Sequence, residues 1–185
     1  MPLPPHRRPI RLPQAAYRAG DTFLLTCCVH RRETAFLHPP LARHALHCAV
    51  QSAILTSAQL WAAVIMPDHV HLLVSGAVGC SVLDTGACFK RLVSWYATST
   101  GRSTPLWQRR IHDQGIRTHL PNALDNAIAY LVNNPVRAGF TTHWSSWPFT
   151  HVAVEKLGGS LWAQPVDNCA KPEALPSPSV SPGSC

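Results

Sequence analysis

Lysine is scarce in this 185-residue chain. Only Lys90, Lys156 and Lys171 occur, so of sixteen Lys and Arg thirteen are Arg, set against nine Asp and Glu. The formal charge of +7 is therefore carried by guanidinium groups, whose planar fork matches phosphate oxygens. A polyanionic partner fits that charge, although a GC-rich gene would give the same arginine bias. Long apolar runs are missing as well. No stretch approaches the roughly 18 residues of a membrane span, and the opening MPLPPHRRPIRLP has no apolar segment of signal-peptide length behind its basic residues. No membrane partner and a cytoplasmic location are expected. CxxC spacing is absent, and the seven cysteines, an odd number, include the vicinal pair Cys27 and Cys28. That pattern argues against a disulfide framework or a closed structural zinc site and predicts reduced, mostly packing thiols. Internal repeats are absent too.

What is present suits one folded domain. A hydrophobic content of 46% with mean hydropathy near zero (+0.01) allows a sizeable core in a soluble protein. Residues 1–18 carry Arg7, Arg8, Arg11 and Arg18, five prolines and no acid, which predicts an extended basic arm able to track a phosphate backbone. From residue 157 the composition turns to Gly, Pro and Ser with little charge. Residues 157–185 are therefore expected to form a disordered tail, and 19–156 the domain.

Within that domain, Thr22 to Val29 (TFLLTCCV) reads as a buried strand, and Pro40 to Thr56 as a helix opened by proline. Leu60 to Met66 and His69 to Val74 read as strands joined by the short turn Pro67-Asp68, hence an antiparallel hairpin. Ser81 to Thr98 follows as a second long helix. Gln108 to Thr118 is a weaker strand with an expected turn at Gln114-Gly115, and Pro121 to Asn133 is a third helix. The order β-α-β-β-α-β, then α, predicts an α+β fold: a ferredoxin-like split βαβ, with an antiparallel sheet, helices on one face and a C-terminal helix.

On a strand, residues two apart share a side, so the rings of His69 and His71 project together while Val70, Leu72 and Val74 face the other way. Two adjacent imidazoles can bind one divalent metal. Alone the signal is weak, since with eleven histidines chance supplies roughly 0.6 such pairs. A second signal comes from the third helix, where Tyr130 and Asn134 stand one turn apart on one side, just before Pro135. A phenol in line with a metal-coordinated phosphate can attack it and form a phosphotyrosine ester.

The blocks AAVIMPDHVHLLV, FKRLVSWYA, LWQRRIHDQGIR, AYLVNNPVRAGF and WSSWPF resemble the successive blocks of REP-associated tyrosine transposases, relatives of the small insertion-sequence HUH transposases, from about Phe23 to Phe149. YLVNNPVRAG after a Pro-x-His-hydrophobic-His strand is the specific part. The resemblance implies that His69 and His71 are paired metal ligands, Tyr130 is the nucleophile, and Asn134 stands where the family offers a further polar metal contact. It also implies Mg2+ or Mn2+, although ligand softness alone would favour later metals. Single-stranded or hairpin DNA, in the form of REP-like repeats, is the implied partner. Cleavage would leave the 5′ end on tyrosine and release a 3′ hydroxyl. The relatives act as monomers or homodimers, and nothing in the sequence chooses. Asp68 departs from the family pattern, where Asn is more usual in the Met-Pro-x-His turn.

DNA contacts are expected from Arg7, Arg8 and Arg11 in the arm and from Lys90, Arg109, Arg110 and Arg137, set against the ordinary fate of exposed arginines as a solvated face. Tyr96 is a competing tyrosine whose neighbours Val93 and Trp95 suggest packing. Asn134 is equally explained as a helix cap. Trp95, Trp107, Trp144 and Trp147 can stack on unpaired bases, but at least two are expected to be packing residues. Two rival functions remain. One is a domesticated protein that binds hairpins without cutting them. The other is a histidine-triad phosphoester hydrolase, which needs a third histidine where Leu73 stands.

Overall fold

The computed structural model describes residues 20–153; the arm at 1–18 with Arg7, Arg8 and Arg11, and the segment 157–185, lie outside the described residues. Strand β1 (Thr22–Cys28) leads through two short 3-10 turns into helix α1 (Pro39–Leu55). The hairpin β2 (Gln59–Met66) and β3 (His69–Ser75) follows, then α2 (Val82–Ser99) and β4 (His112–Ile116). Helix α3 (Ala123–Val132), the four-residue α4 (Asn134–Arg137) and β5 (Thr150–Val152) complete the described chain. The strands form one sheet in the order β4-β1-β3-β2-β5, and every pairing is antiparallel. Its first four strands are the expected split βαβ arrangement.

The local causes are visible. Prolines at the first two positions open α1, where their missing N–H groups cost nothing. A capping box opens α2: the Ser81 hydroxyl accepts from Leu83 N at 3.2 Å, and Ser81 N donates to Asp84 Oδ2 at 3.0 Å. Ser81 is thus the cap, one residue before the helix proper.

The sheet has two covered sides. Phe23, Leu25 and Cys27 stand opposite Val74, Leu72 and Val70, so these six side chains share one side. A Cβ added at Gly86 of α2 would come within 3.2 Å of the Leu25 side chain, which places α2, and α1 packed beside it, on that side. Leu24, Thr26 and Cys28 oppose Leu73, His71 and His69 on the other side, together with Ala62, Val64 and Met66 of β2. Helix α3 packs on β2, β3 and β4 through the buried stripe Ile128, Leu131 and Val132. It therefore lies across the side from which His69 and His71 project.

Two expectations need correction. Gln114 and Gly115 are not a turn but lie inside β4, opposite Leu24 and Phe23. Pairing with β1 supplies hydrogen bonds that outweigh the local turn preference. Strand β5 was not foreseen, because three residues after Trp147-Pro148 are too short to show alternation. Among the described residues, no helix is long and apolar enough to cross a membrane. Cys27, Cys28, Cys48 and Cys88 are buried and free, and Cys80 is exposed and free, as the reading of packing thiols expects. Trp107 and Trp147 are buried, whereas Trp95 is 72% exposed.

Leu72 sits at the centre of the α1–α2 side with no exposed surface, so Leu72→Ala is expected to cost about 2–5 kcal/mol in urea denaturation. Ile54→Ala, at a residue 71% exposed on α1, should stay within about 0.5 kcal/mol of wild type. Equal losses at both positions would mean that the register of β3 is wrong.

Candidate metal and nucleophile site

His69 and His71 face each other edge-on, with ring centroids 4.7 Å apart and their Nε2 atoms at 3.2 Å. Each Nδ1 is engaged elsewhere. His69 Nδ1 donates to Asp68 Oδ1 at 2.6 Å, and His71 Nδ1 lies 2.9 Å from Thr26 Oγ1, its cross-strand neighbour on β1. With one proton on each ring, a single arrangement satisfies all three contacts. The Thr26 hydroxyl donates to His71 Nδ1, His71 Nε2–H donates to His69 Nε2, and His69 Nδ1–H donates to the Asp68 carboxylate. Thr26 can also accept, so its hydroxyl can turn and leave both Nε2 lone pairs free to converge on one ion.

This donor set fits a divalent metal. Outer partners on Nδ1 and bare Nε2 atoms side by side are how ligating histidines are usually held. Among the described residues no group of three or more His, Cys, Asp or Glu could hold an ion. The protein would thus supply two nitrogens, leaving the rest of a divalent ion's coordination shell to water or other ligands.

Burial, reinforced by the neighbouring His69 and Arg32 and opposed by Asp68, brings the His71 imidazole down to about 4. A neutral ring at physiological pH is the form a metal requires. Asp68 is itself held by Arg32, whose Nε lies 3.1 Å from Asp68 Oδ2.

Tyr130 is 52% exposed, on the flank of α3 beside its buried stripe. The Arg137 guanidinium lies over its ring, 4.5 Å from the centroid. Asn134 donates its amide hydrogens to Leu131 O at 2.9 Å and to Tyr130 O at 3.3 Å, so that end of its side chain caps the helix and only the amide oxygen remains for any ligand. Among the described residues no hydrogen bond or ring contact joins Tyr130 or Asn134 to the histidines; what they share is the side of the sheet. Tyr96 stacks on His44 at 3.9 Å, a packing role.

Of the expected DNA contacts, Lys90 has a different task. Its ammonium donates to Gln108 O at 2.6 Å and Arg109 O at 3.3 Å, and burial pushes its pKa down. These carbonyls belong to an irregular stretch: Gln108 N bonds to Cys28 O, while regular pairing with β1 resumes only at His112. Lys90 thereby pins the bulge on which Arg109 and Arg110 stand exposed. Thr26 and Arg32 were missed by sequence reasoning. Thr26 is separated from His71 by 45 residues, so only the register of β1 on β3 reveals it.

Protonating His71 opposes folding, because the unfolded ring titrates near the ordinary 6.5 and the folded one near 4. As pH falls the unfolded chain takes the proton first. Stability should therefore be full above about 6.5 and decline toward about 4. His44 and His151, also lowered by burial, add to the same slope. Urea denaturation across this range should show a shallower decline for His71→Gln than for wild type. Identical slopes would mean that the folded His71 titrates normally.

No protein-family model matches the chain, and no curated protein does. Among solved structures, a protein from Deinococcus radiodurans R1 described provisionally as a transposase shares 18% identity over 62% of this chain and 93% of that one, with a TM-score of 0.47, too loose to bear on function. A REP-associated tyrosine transposase, solved bound to a REP hairpin, shares 22% identity over 80% of this chain and 82% of that one, with a TM-score of 0.58. By its sheet order, its helices and this superposition, the chain has the fold of a REP-associated tyrosine transposase.

Proposed function

We propose that this protein is a metal-dependent endonuclease and strand transferase of the REP-associated tyrosine transposase family, acting on single-stranded DNA beside hairpin-forming repeats. The observation that carries this reading is the histidine pair: two Nε2 atoms at 3.2 Å, each ring oriented through Nδ1, on the side of the sheet crossed by the tyrosine helix. The similar fold of a protein solved with a REP hairpin supports the choice of substrate.

Tyr130 Oη would attack the phosphorus. The Oη–P bond forms as the bond from phosphorus to O3′ breaks, the phenol proton passes to solvent, and the departing oxygen takes up a proton as a free 3′ hydroxyl. The 5′ phosphate stays on Tyr130, so the reverse attack by a 3′ hydroxyl can rejoin strands without an external energy source. Magnesium or manganese, held by His69 and His71 with the Asn134 amide oxygen as a further donor, would neutralise charge on the phosphate oxygens. The half-exposed phenol leaves room for a strand, and Arg137 over its ring sets a cation beside the phosphate that Tyr130 would meet. Arg109 and Arg110, on the bulge, suit the phosphates of the flanking backbone.

With Mn2+ and single-stranded hairpin oligonucleotides from the host's own repeats, denaturing gels should show a covalent protein–DNA adduct. EDTA should abolish it, and Tyr130→Phe should lower it about a thousandfold or more, while Tyr96→Phe retains it. Hairpin binding without an adduct in any metal would instead identify a domesticated binding protein.

A further inference from the structure

Arg31 and Arg32 both have left-handed backbones, with φ of 52° and 59°, a conformation that non-glycine residues adopt only when their surroundings force it. Here the surroundings do. Val29 N donates to Asp68 O at 2.9 Å and Phe36 N to Pro67 O at 3.0 Å, so the segment that follows β1 is buckled onto the turn between β2 and β3. His30 N donates to Leu106 O, and Glu33 pairs with Arg102 at 2.6 Å, holding the segment from its other side.

The strained backbone delivers the Arg32 side chain to one place. Its Nε meets Asp68 Oδ2 at 3.1 Å, and its Nη1 meets Cys28 Sγ at 3.2 Å. Cys28 is the cross-strand partner of His69, and Asp68 immediately precedes it, so the guanidinium bridges the two neighbours of one imidazole. The Asp68 carboxylate is divided, with Oδ2 on Arg32 and Oδ1 on His69 Nδ1 at 2.6 Å. The terminal torsion of an aspartate is broad, and the Arg32 contact removes that freedom.

The ion pair itself contributes little to stability, since the Arg32 side chain is 52% exposed. We infer that Arg32 is a positioning residue for the histidine pair: it locks the Asp68 carboxylate in the orientation that keeps the proton of His69 on Nδ1 and its Nε2 lone pair aimed at the metal position. The inference rests on the proposed metal role of His69 and His71. It also gives a purpose to Asp68, which carries a charge where an asparagine would not, and which Arg32 balances.

The test uses the full chain and Mn2+ alone, titrated by the electron paramagnetic resonance signal of the free ion. Arg32→Ala should weaken Mn2+ binding about tenfold, the lower end of the effect of losing an outer-shell partner. Simple electrostatics predicts the opposite sign, since removing a cation beside the site would tighten binding. Arg32→Lys keeps the charge but not the fork, and should also weaken binding. In an Asp68→Asn background, Arg32→Ala should weaken nothing further, because the two residues act through one contact. In the metal-free protein, 15N spectra should show the His69 Nδ1–H signal in wild type and its loss or broadening in Arg32→Ala. Unchanged or tighter Mn2+ binding with an intact Nδ1–H signal in Arg32→Ala would overturn the inference. If wild type binds no Mn2+, the strand-transfer reading falls instead, and the imidazole spectrum alone decides the role of Arg32, an Nδ1–H signal surviving in Arg32→Ala refuting it.

Discussion

The pairing of β3 with β1 on one side and β2 on the other is the constraint on which the rest depends. Along β3 the alternation puts Val70, Leu72 and Val74 against the α1–α2 layer and His69 and His71 on the opposite side. A slip of one residue would turn the imidazoles into that apolar layer and bring out three fully buried side chains. The hydrophobic pattern thus locks the register, and the register decides which groups meet the imidazoles. Thr26 and Cys28 stand beside His71 and His69 for no other reason.

The polar groups of that side fall into two sets with different character. At the far end of β3, the Thr22 and Ser75 hydroxyls bond at 2.6 Å, and Trp61 Nε1 donates to Ser75 at 2.7 Å, tying three strand residues together with ordinary neutral contacts. At the near end, the chain of contacts from Thr26 through His71 and His69 to Asp68 and Arg32 ends on groups partly open to solvent. Burial holds His71 neutral, while the carboxylate and guanidinium stay where they can be hydrated. An interior made only for stability would not draw charge toward a desolvated imidazole.

The arginines and the one described lysine divide the work of the positive charge. Lys90 is spent inside, on backbone carbonyls that the bulge between Gln108 and His112 leaves without sheet partners. Arg32 is spent on orientation, and Arg102 on fastening the neighbouring segment. Arg109, Arg110 and Arg137 keep their charge at the surface, one group on the bulge and one over the tyrosine ring. A net positive composition therefore overstates the surface available to a phosphate backbone, since part of it is consumed in building the site.

Much of this molecule was legible in its sequence because the signals involved are local. Period-two alternation around His69 and His71, the proline entry to α1 and the four-residue spacing of Tyr130 and Asn134 all depend on neighbours within a turn or a strand. They determined the element order as far as α3, the fold class and the pairing of the two imidazoles. Only the tertiary structure decided that Gln114 and Gly115 extend a strand, that Lys90 turns inward, that Asn134 uses its amide hydrogens as a cap, and that Thr26 and Arg32 complete the histidine site. Apart from the Asn134 cap, whose partners lie three and four residues away, each of these is set by contacts between residues distant in the chain. Propensity at one position carries no trace of its partner across the sheet, which is why composition could count the arginines but not assign them.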